Sequence, residues 1–239
     1  MPPPGERPLL ILLPGLDGTG LMFEPFLKAL PDFETRVVAY PPALVSYAAC
    51  LHHARTHLPK DRPFLLLGES FSGPVALALA AERPEGLVAV VLCGTFARNP
   101  RPGLGWTAPL LRLLPPVRLP VGTVRFLLLG RWATPPLMDL VRRVLPAVPK
   151  ATLRDRLLAV LAVDQTPLLA RLQVPALALV AARDRLVPLA ALQHLKVHLP
   201  GLDAVRLQGP HWLLQTRPDA AAQAIRDFLG RMAAGTEGP

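Results

Sequence analysis

Apolar residues are grouped along this chain in short runs that polar and proline-rich stretches interrupt. Residues 7–13, 63–67 and 87–92 are nearly continuous apolar runs, and 35–40 holds a shorter one, Val37-Val38-Ala39-Tyr40. Each predicts a strand, and the run at 7–13, which does not alternate apolar with polar, predicts one buried on both faces. Between them, residues 21–30, 46–58 and the stretch from 75 to about 83 carry helical patterns, each closed by a proline. Ser46 is placed to cap the second of these helices. Strand alternating with helix predicts a parallel sheet with helices on both faces.

The pattern breaks after Phe96. Residues 97–172 hold many prolines and no clear strand, with amphipathic helices predicted at about 121–129, 136–145 and 152–163. The sheet pattern resumes at 174–180 and at 203–207, separated by a helix at 189–199. A closing helix over 218–232 and a frayed tail complete the chain. The expectation is therefore an α/β core of about six mostly parallel strands. Residues 1–96 and 173–239 form it, and residues 97–172 are a helical insertion. No internal repeat is found.

Length and composition agree with this. The chain has 239 residues, enough for one α/β domain with an insertion. It is 51% hydrophobic, yet arginines and prolines interrupt every run before it reaches the ~20 residues of a membrane span. The N-terminus lacks the basic start and long apolar stretch of a signal peptide. Cys50 and Cys93 fall inside a predicted helix and a predicted strand, which suits buried free thiols in a reducing cytoplasm. The net charge of +9 is unevenly placed: residues 97–172 hold 12 basic and 3 acidic residues, and the flanks are neutral. A pI near 10.7 raises nucleic-acid binding, but the charge is confined to a leucine- and proline-rich segment with few aromatics, which speaks against it.

The candidate chemistry starts at Gly68-Glu69-Ser70-Phe71-Ser72-Gly73, between a predicted strand and a predicted helix. A strand, a lean turn and a helix would lift one hydroxyl clear of the backbone, as a nucleophile elbow does. The plainer alternative is a turn whose serine caps the helix. A serine nucleophile needs a base, and the base needs a group that fixes its tautomer. In parallel sheets such groups stand at the carboxyl ends of strands. Ser70, Asp184 and His211 meet that test in the order Ser, Asp, His. Other carboxylates fit lesser roles: Asp164 a cap or turn, Asp17 a turn former, and Glu69 a hydrogen-bonding group pointing away from the elbow tip. His52, His53 and His57 lie on a surface helix. His194 and His198 have i, i+4 spacing but no third ligand, so no metal is expected.

Four motifs in sequence, Leu13-Pro14-Gly15-Leu16-Asp17-Gly18, Gly68 to Gly73, Arg183-Asp184-Arg185-Leu186-Val187-Pro188 and Gly209-Pro210-His211, resemble those of lid-bearing members of the α/β-hydrolase superfamily over residues 8–229. The resemblance implies an α/β-hydrolase fold with residues 97–172 as lid, and a serine esterase or thioesterase without cofactor. It implies Ser70 as nucleophile, His211 as base and acid, Asp184 as orienting carboxylate, and the N–H groups of Leu16 and Phe71 as oxyanion hole. Ser72 stands where the family has glycine, and Pro14 where it often has histidine. The residues expected to touch substrate are Trp106, Arg142, Arg143 and Trp212.

The substrate expected is a small ester or acyl thioester. In architecture and charge the chain is also similar to pimeloyl-carrier-protein methyl esterases, which implies an acidic acyl carrier protein docking on the basic lid. The glycine-rich loop and the elbow resemble those of plastid ester synthases, which implies acyl transfer to a lipid-like alcohol as an alternative. A non-catalytic binding protein retaining the fold is a further one. Stable membrane insertion and nucleic-acid binding are not expected.

Overall fold

The computed structural model describes residues 7–117 and 119–236. The extreme N-terminus read for a signal peptide, Arg118 among the insertion's bases, and the last residues of the tail expected to fray lie outside these. Along the chain the elements are β1 (Leu9–Leu13), α1 (Glu24–Lys28), β2 (Thr35–Val37), α2 (Tyr47–Thr56), β3 (Phe64–Glu69), α3 (Gly73–Ala81) and β4 (Leu87–Cys93). The insertion carries α4 (Ala108–Leu113), α5 (Val121–Val124), α6 (Pro135–Ala147), α7 (Lys150–Ala162) and α8 (Thr166–Leu169). Then follow β5 (Ala176–Ala181), α9 (Leu189–His198), β6 (Asp203–Leu207), α10 (Leu213–Thr216) and α11 (Pro218–Thr236).

The six strands form one parallel sheet in the order β2-β1-β3-β4-β5-β6. The strand period of two explains the continuous apolar runs. Leu9, Ile11, Leu13, Phe64 and Leu66 enter one core layer with α2 and α3, while Leu10, Leu12, Leu65 and Leu67 enter another with α1 and α11. The chain runs outward from β1 to β2 and then crosses to β3 on the other side. The crevice where that direction reverses lies beyond the carboxyl ends of β1 and β3, where open α/β sheets hold their ligands.

Departures from expectation have local causes. β2 ends at Val37, because from Val38 the chain turns over the loop after β1: Tyr40 N–H donates to Gly18 C=O at 2.7 Å. A 3-10 turn, Leu21–Phe23, precedes a short α1. A 3-10 turn over Pro102–Thr107 and then α4 occupy a stretch whose prolines and glycines masked any helical pattern. The helix expected over 121–129 begins as α5 and loosens into a π turn, Arg125–Leu129. Val124, Leu129, Met138 and Val141 of the insertion pack against Met22 and Trp212 of the core, so the insertion seats on the loops at the carboxyl end of the sheet.

Candidate active site

β3 delivers Ser70 into a sharp turn. Ser70 has φ 49°, a left-handed conformation that a non-glycine residue adopts at a cost. The surroundings hold it there. Thr95 Oγ1 donates to the Ser70 carbonyl, and the turn is lean on both sides. A Cβ on Gly68 would lie 2.7 Å from the Ser72 carbonyl oxygen, and one on Gly73 would lie 1.9 Å from Thr95 Oγ1. The second position that must be glycine is therefore Gly73, which leaves position 72 room for a side chain. Ser72 uses that room. Fully buried, it donates its hydroxyl to the Pro14 carbonyl and accepts from the Tyr40 hydroxyl at 3.0 Å, tying the elbow to the loop after β1. Neither Ser70 nor Ser72 caps α3 with its side chain, so the plainer reading of the motif does not hold.

Ser70 Oγ lies 2.8 Å from His211 Nε2, and His211 Nδ1 lies 2.7 Å from Asp184 Oδ2. The other Asp184 oxygen accepts from the N–H groups of Leu186 and Val187, both at 2.8 Å. One carboxylate oxygen is thus held by backbone and the other faces the imidazole. Burial works against a charged His211, but the Asp184 charge, its hydrogen bond and the nearby Glu69 outweigh this and raise the imidazole above its ordinary value. The arrangement is able to take a proton from Ser70 and hold it as an ion pair.

The loop after β1 lies beside the elbow: a Cβ on Gly15 would be 3.9 Å from Ser70 Cβ. Asp17 is the turn former that the sequence suggested, accepting from Thr19 N–H at 2.9 Å. What the sequence did not reveal is Arg156. It projects from α7, is fully buried, and gives all its hydrogen bonds to backbone carbonyls. Nη1 donates to Leu16 (3.0 Å) and Asp17 (2.9 Å), Nη2 to Tyr40 (3.3 Å) and Pro41 (3.2 Å), and Nε to Leu44 (3.0 Å). Gly18, at φ 72°, makes the approach possible, since a Cβ there would lie 2.1 Å from Arg156 Nη1. In the sequence this residue is one more arginine of a basic segment, and its partners are carbonyls that any residue supplies.

Glu69 is buried behind the serine, as expected of a hydrogen-bonding group. It accepts from Gln215 Nε2 at 2.9 Å and from Gly15 N–H. Burial, and then the neighbouring Asp17 charge, push its carboxyl up to about 7 against those hydrogen bonds and the His211 charge. Gln215 Oε1 is buried without a partner among the described residues.

The expected substrate contacts have four different surroundings. Trp106 is 73% exposed on the 3-10 turn of the insertion. Arg142 pairs with Asp139, and Arg143 with Glu24 of α1. Only Trp212 is buried, in the apolar cluster under the insertion, and its backbone N–H donates to the Leu128 carbonyl at 3.2 Å. Arg101 donates to the Arg185 and Leu186 carbonyls beside Asp184. Much of the insertion's positive charge is thus engaged within the molecule. Asp164 accepts from Thr166 N–H at the start of α8, a turn role. His194 and His198 lie ring against ring, and no metal-binding cluster is found among the described residues. Cys50 and Cys93 are free and buried.

Solved structures share this fold. A lipase-esterase related protein from Clostridium acetobutylicum superposes with a TM-score of 0.78 at 15% identity, covering 92% of this chain and 93% of that one. A hydrolase from Pseudomonas aeruginosa gives 0.78 at 23% identity, covering 95% and 91%. The enol-lactonase of Burkholderia xenovorans gives 0.73 at 22%, covering 95% and 92%. No curated protein sequence matches the chain. The model of the alpha/beta hydrolase family matches residues 10–224, which together with the sheet order makes this chain a member of the α/β-hydrolase family.

Proposed function

We propose that this protein is a serine hydrolase that cleaves a small carboxylic ester or thioester through an acyl-enzyme. The observation that carries the reading is the continuous relay from Ser70 Oγ through both nitrogens of His211 to an Asp184 whose other oxygen is held by two backbone N–H groups. His211 takes the Ser70 proton as Oγ bonds to the acyl carbon, and the carbonyl electrons move onto oxygen. That oxyanion is received by the N–H groups of Leu16, in the loop after β1, and Phe71, next to the nucleophile in the turn. Collapse expels the alcohol or thiol, which leaves with the proton from His211. Water then repeats the cycle, releasing the acid and free Ser70.

Arg156 is a positioning residue in this scheme. By fixing the Leu16 and Asp17 carbonyls it holds the two peptides that follow the Leu16 N–H and so steadies the loop that presents that donor, and such preorganised donors contribute roughly 3–4 kcal/mol each to lowering the barrier. The insertion acts as a lid over Ser70, with Trp212, next to His211, buried where the insertion meets the core. Free buried thiols suit a cytoplasmic enzyme.

The test is fluorophosphonate labelling of the wild type and Ser70→Ala, with turnover of p-nitrophenyl acetate, butyrate and octanoate. Label and turnover in the wild type should both vanish in Ser70→Ala, turnover by at least about 10³-fold. A correctly folded wild type that takes no label and turns over none of the esters refutes the reading.

A further inference from the structure

We propose that the outer face of the insertion, over residues 102–117 and 119–126, docks on an anionic lipid bilayer. From Arg98 to Leu128 the only buried residue among those described is Val124. The segment lies on the molecule rather than in it. Large apolar side chains stand in solvent along it, among them Leu104, Trp106, Leu110, Leu113, Val117 and Phe126; Leu113 is 83% exposed. Elsewhere on the described surface such residues are few and scattered. Scattered exposed apolar residues need no explanation, but a contiguous stretch of this length does.

The charge identifies the occupant. No acidic residue occurs between Gly86 and Met138, and every charged residue there is an arginine. Arg112 and Arg125 are exposed among the apolar side chains. Interfacial segments show this mixture of apolar and basic residues, with tryptophan at the headgroup level. An acidic protein partner fits less well. Protein interfaces rely on directional polar groups at their rims, about one hydrogen bond per 100–200 Å². Here the polar side chains other than arginine are threonines, and the Thr107 hydroxyl is already given to the Leu104 carbonyl. A bilayer asks for no such matching. No described helix is long and apolar enough to cross a membrane, so the contact is peripheral.

The surface also adjoins the site. Arg185, next to Asp184, donates to the Phe126 carbonyl and stacks its guanidinium 3.9 Å over the Phe126 ring, and Trp212, next to His211, donates to the Leu128 carbonyl. A lipophilic ester leaving the bilayer along this face would arrive at the serine. That last step rests on the hydrolase reading; the docking itself does not.

Docking is therefore measured on Ser70→Ala as well as the wild type, by flotation with vesicles of phosphatidylcholine alone and with about 30 mol % phosphatidylglycerol. Both proteins should bind the anionic vesicles, bind the neutral ones weakly, and lose most binding at about 0.5 M NaCl. Leu113→Asp and Arg112→Glu should each lower the bound fraction about tenfold while turnover of p-nitrophenyl acetate in solution is unchanged. Folded wild type that stays off anionic vesicles, or Leu113→Asp and Arg112→Glu variants that bind as well as the wild type, overturns the proposal. So does binding to an acidic acyl carrier protein with none to vesicles, which would assign the face to a protein. Vesicle binding by a wild type that takes no fluorophosphonate label keeps the docking face and removes the hydrolase reading.

Discussion

Arg156 and Arg112 belong to the same insertion, on helices α7 and α4 that pack against each other, and they meet opposite surroundings. Arg156 is sealed from water, and its donors are spent on five carbonyls of two core segments. Arg112 stands in solvent among exposed leucines. A guanidinium's contribution depends on what surrounds it. In the interior, leaving an acceptor unpaired is costly, whereas an exposed cation is hydrated and screened. The α7 half of the insertion is thus part of the core, while the half around α4 is a surface laid on it.

Exchanging each arginine for a residue of similar length tests this contrast. Arg156→Met removes five hydrogen bonds made by a fully buried side chain and should lose at least about 3 kcal/mol of stability, read by chemical denaturation. Arg156→Lys keeps the charge with fewer donors, and in the folded variant kcat should fall about tenfold with KM little changed, because a displaced oxyanion donor affects the transition state more than binding. Equal stability and kcat in both variants would remove the distinction between the two halves.

The next effect is in pH. In the proposed mechanism His211 must be neutral to act as base, so activity should be lost as pH falls through its raised value. Glu69→Gln removes one of the charges that raise it, and the acid limb of kcat/KM should move to lower pH. The same substitution should flatten stability against pH. A carboxyl raised from 4.5 to about 7 in the fold keeps its proton where the unfolded chain has lost it, so wild-type stability falls as pH rises through that window. An unmoved limb would show that Glu69 does not act on His211. The smallest effect is expected of Arg112→Met, within about 0.5 kcal/mol in thermal unfolding, and a larger loss would mean that the α4 half is as integral as α7.

The sequence announced residues whose chemistry is rare and whose neighbours are diagnostic. The sheet was legible because its central strands, such as β1 and β3, are buried on both faces and admit little but apolar residues; the half-exposed edge strand β6 also falls on the expected residues, Asp203–Leu207. That Ser70, Asp184 and His211 lie together was legible because each follows a strand and the resemblance supplies their order. Ser72 was read only as a departure from glycine, since its tie to Pro14 and Tyr40 needs three segments in place at once. Helix α4 was hidden by the prolines and glycines around it, and helical order there follows from packing on α7. Arg156 was hidden more deeply: its partners are backbone atoms more than a hundred residues away.

The anchoring of α7 limits how the insertion is able to move. Swinging the whole insertion outward as a rigid flap would strip a buried cation of five hydrogen bonds in one step, so such a swing belongs to the rare, slow openings of the molecule rather than to each turnover. In the proposed mechanism, entry and exit then fall to the stretch before α6, with α7 as the fixed post and Gly130, at φ 55°, as the joint between them.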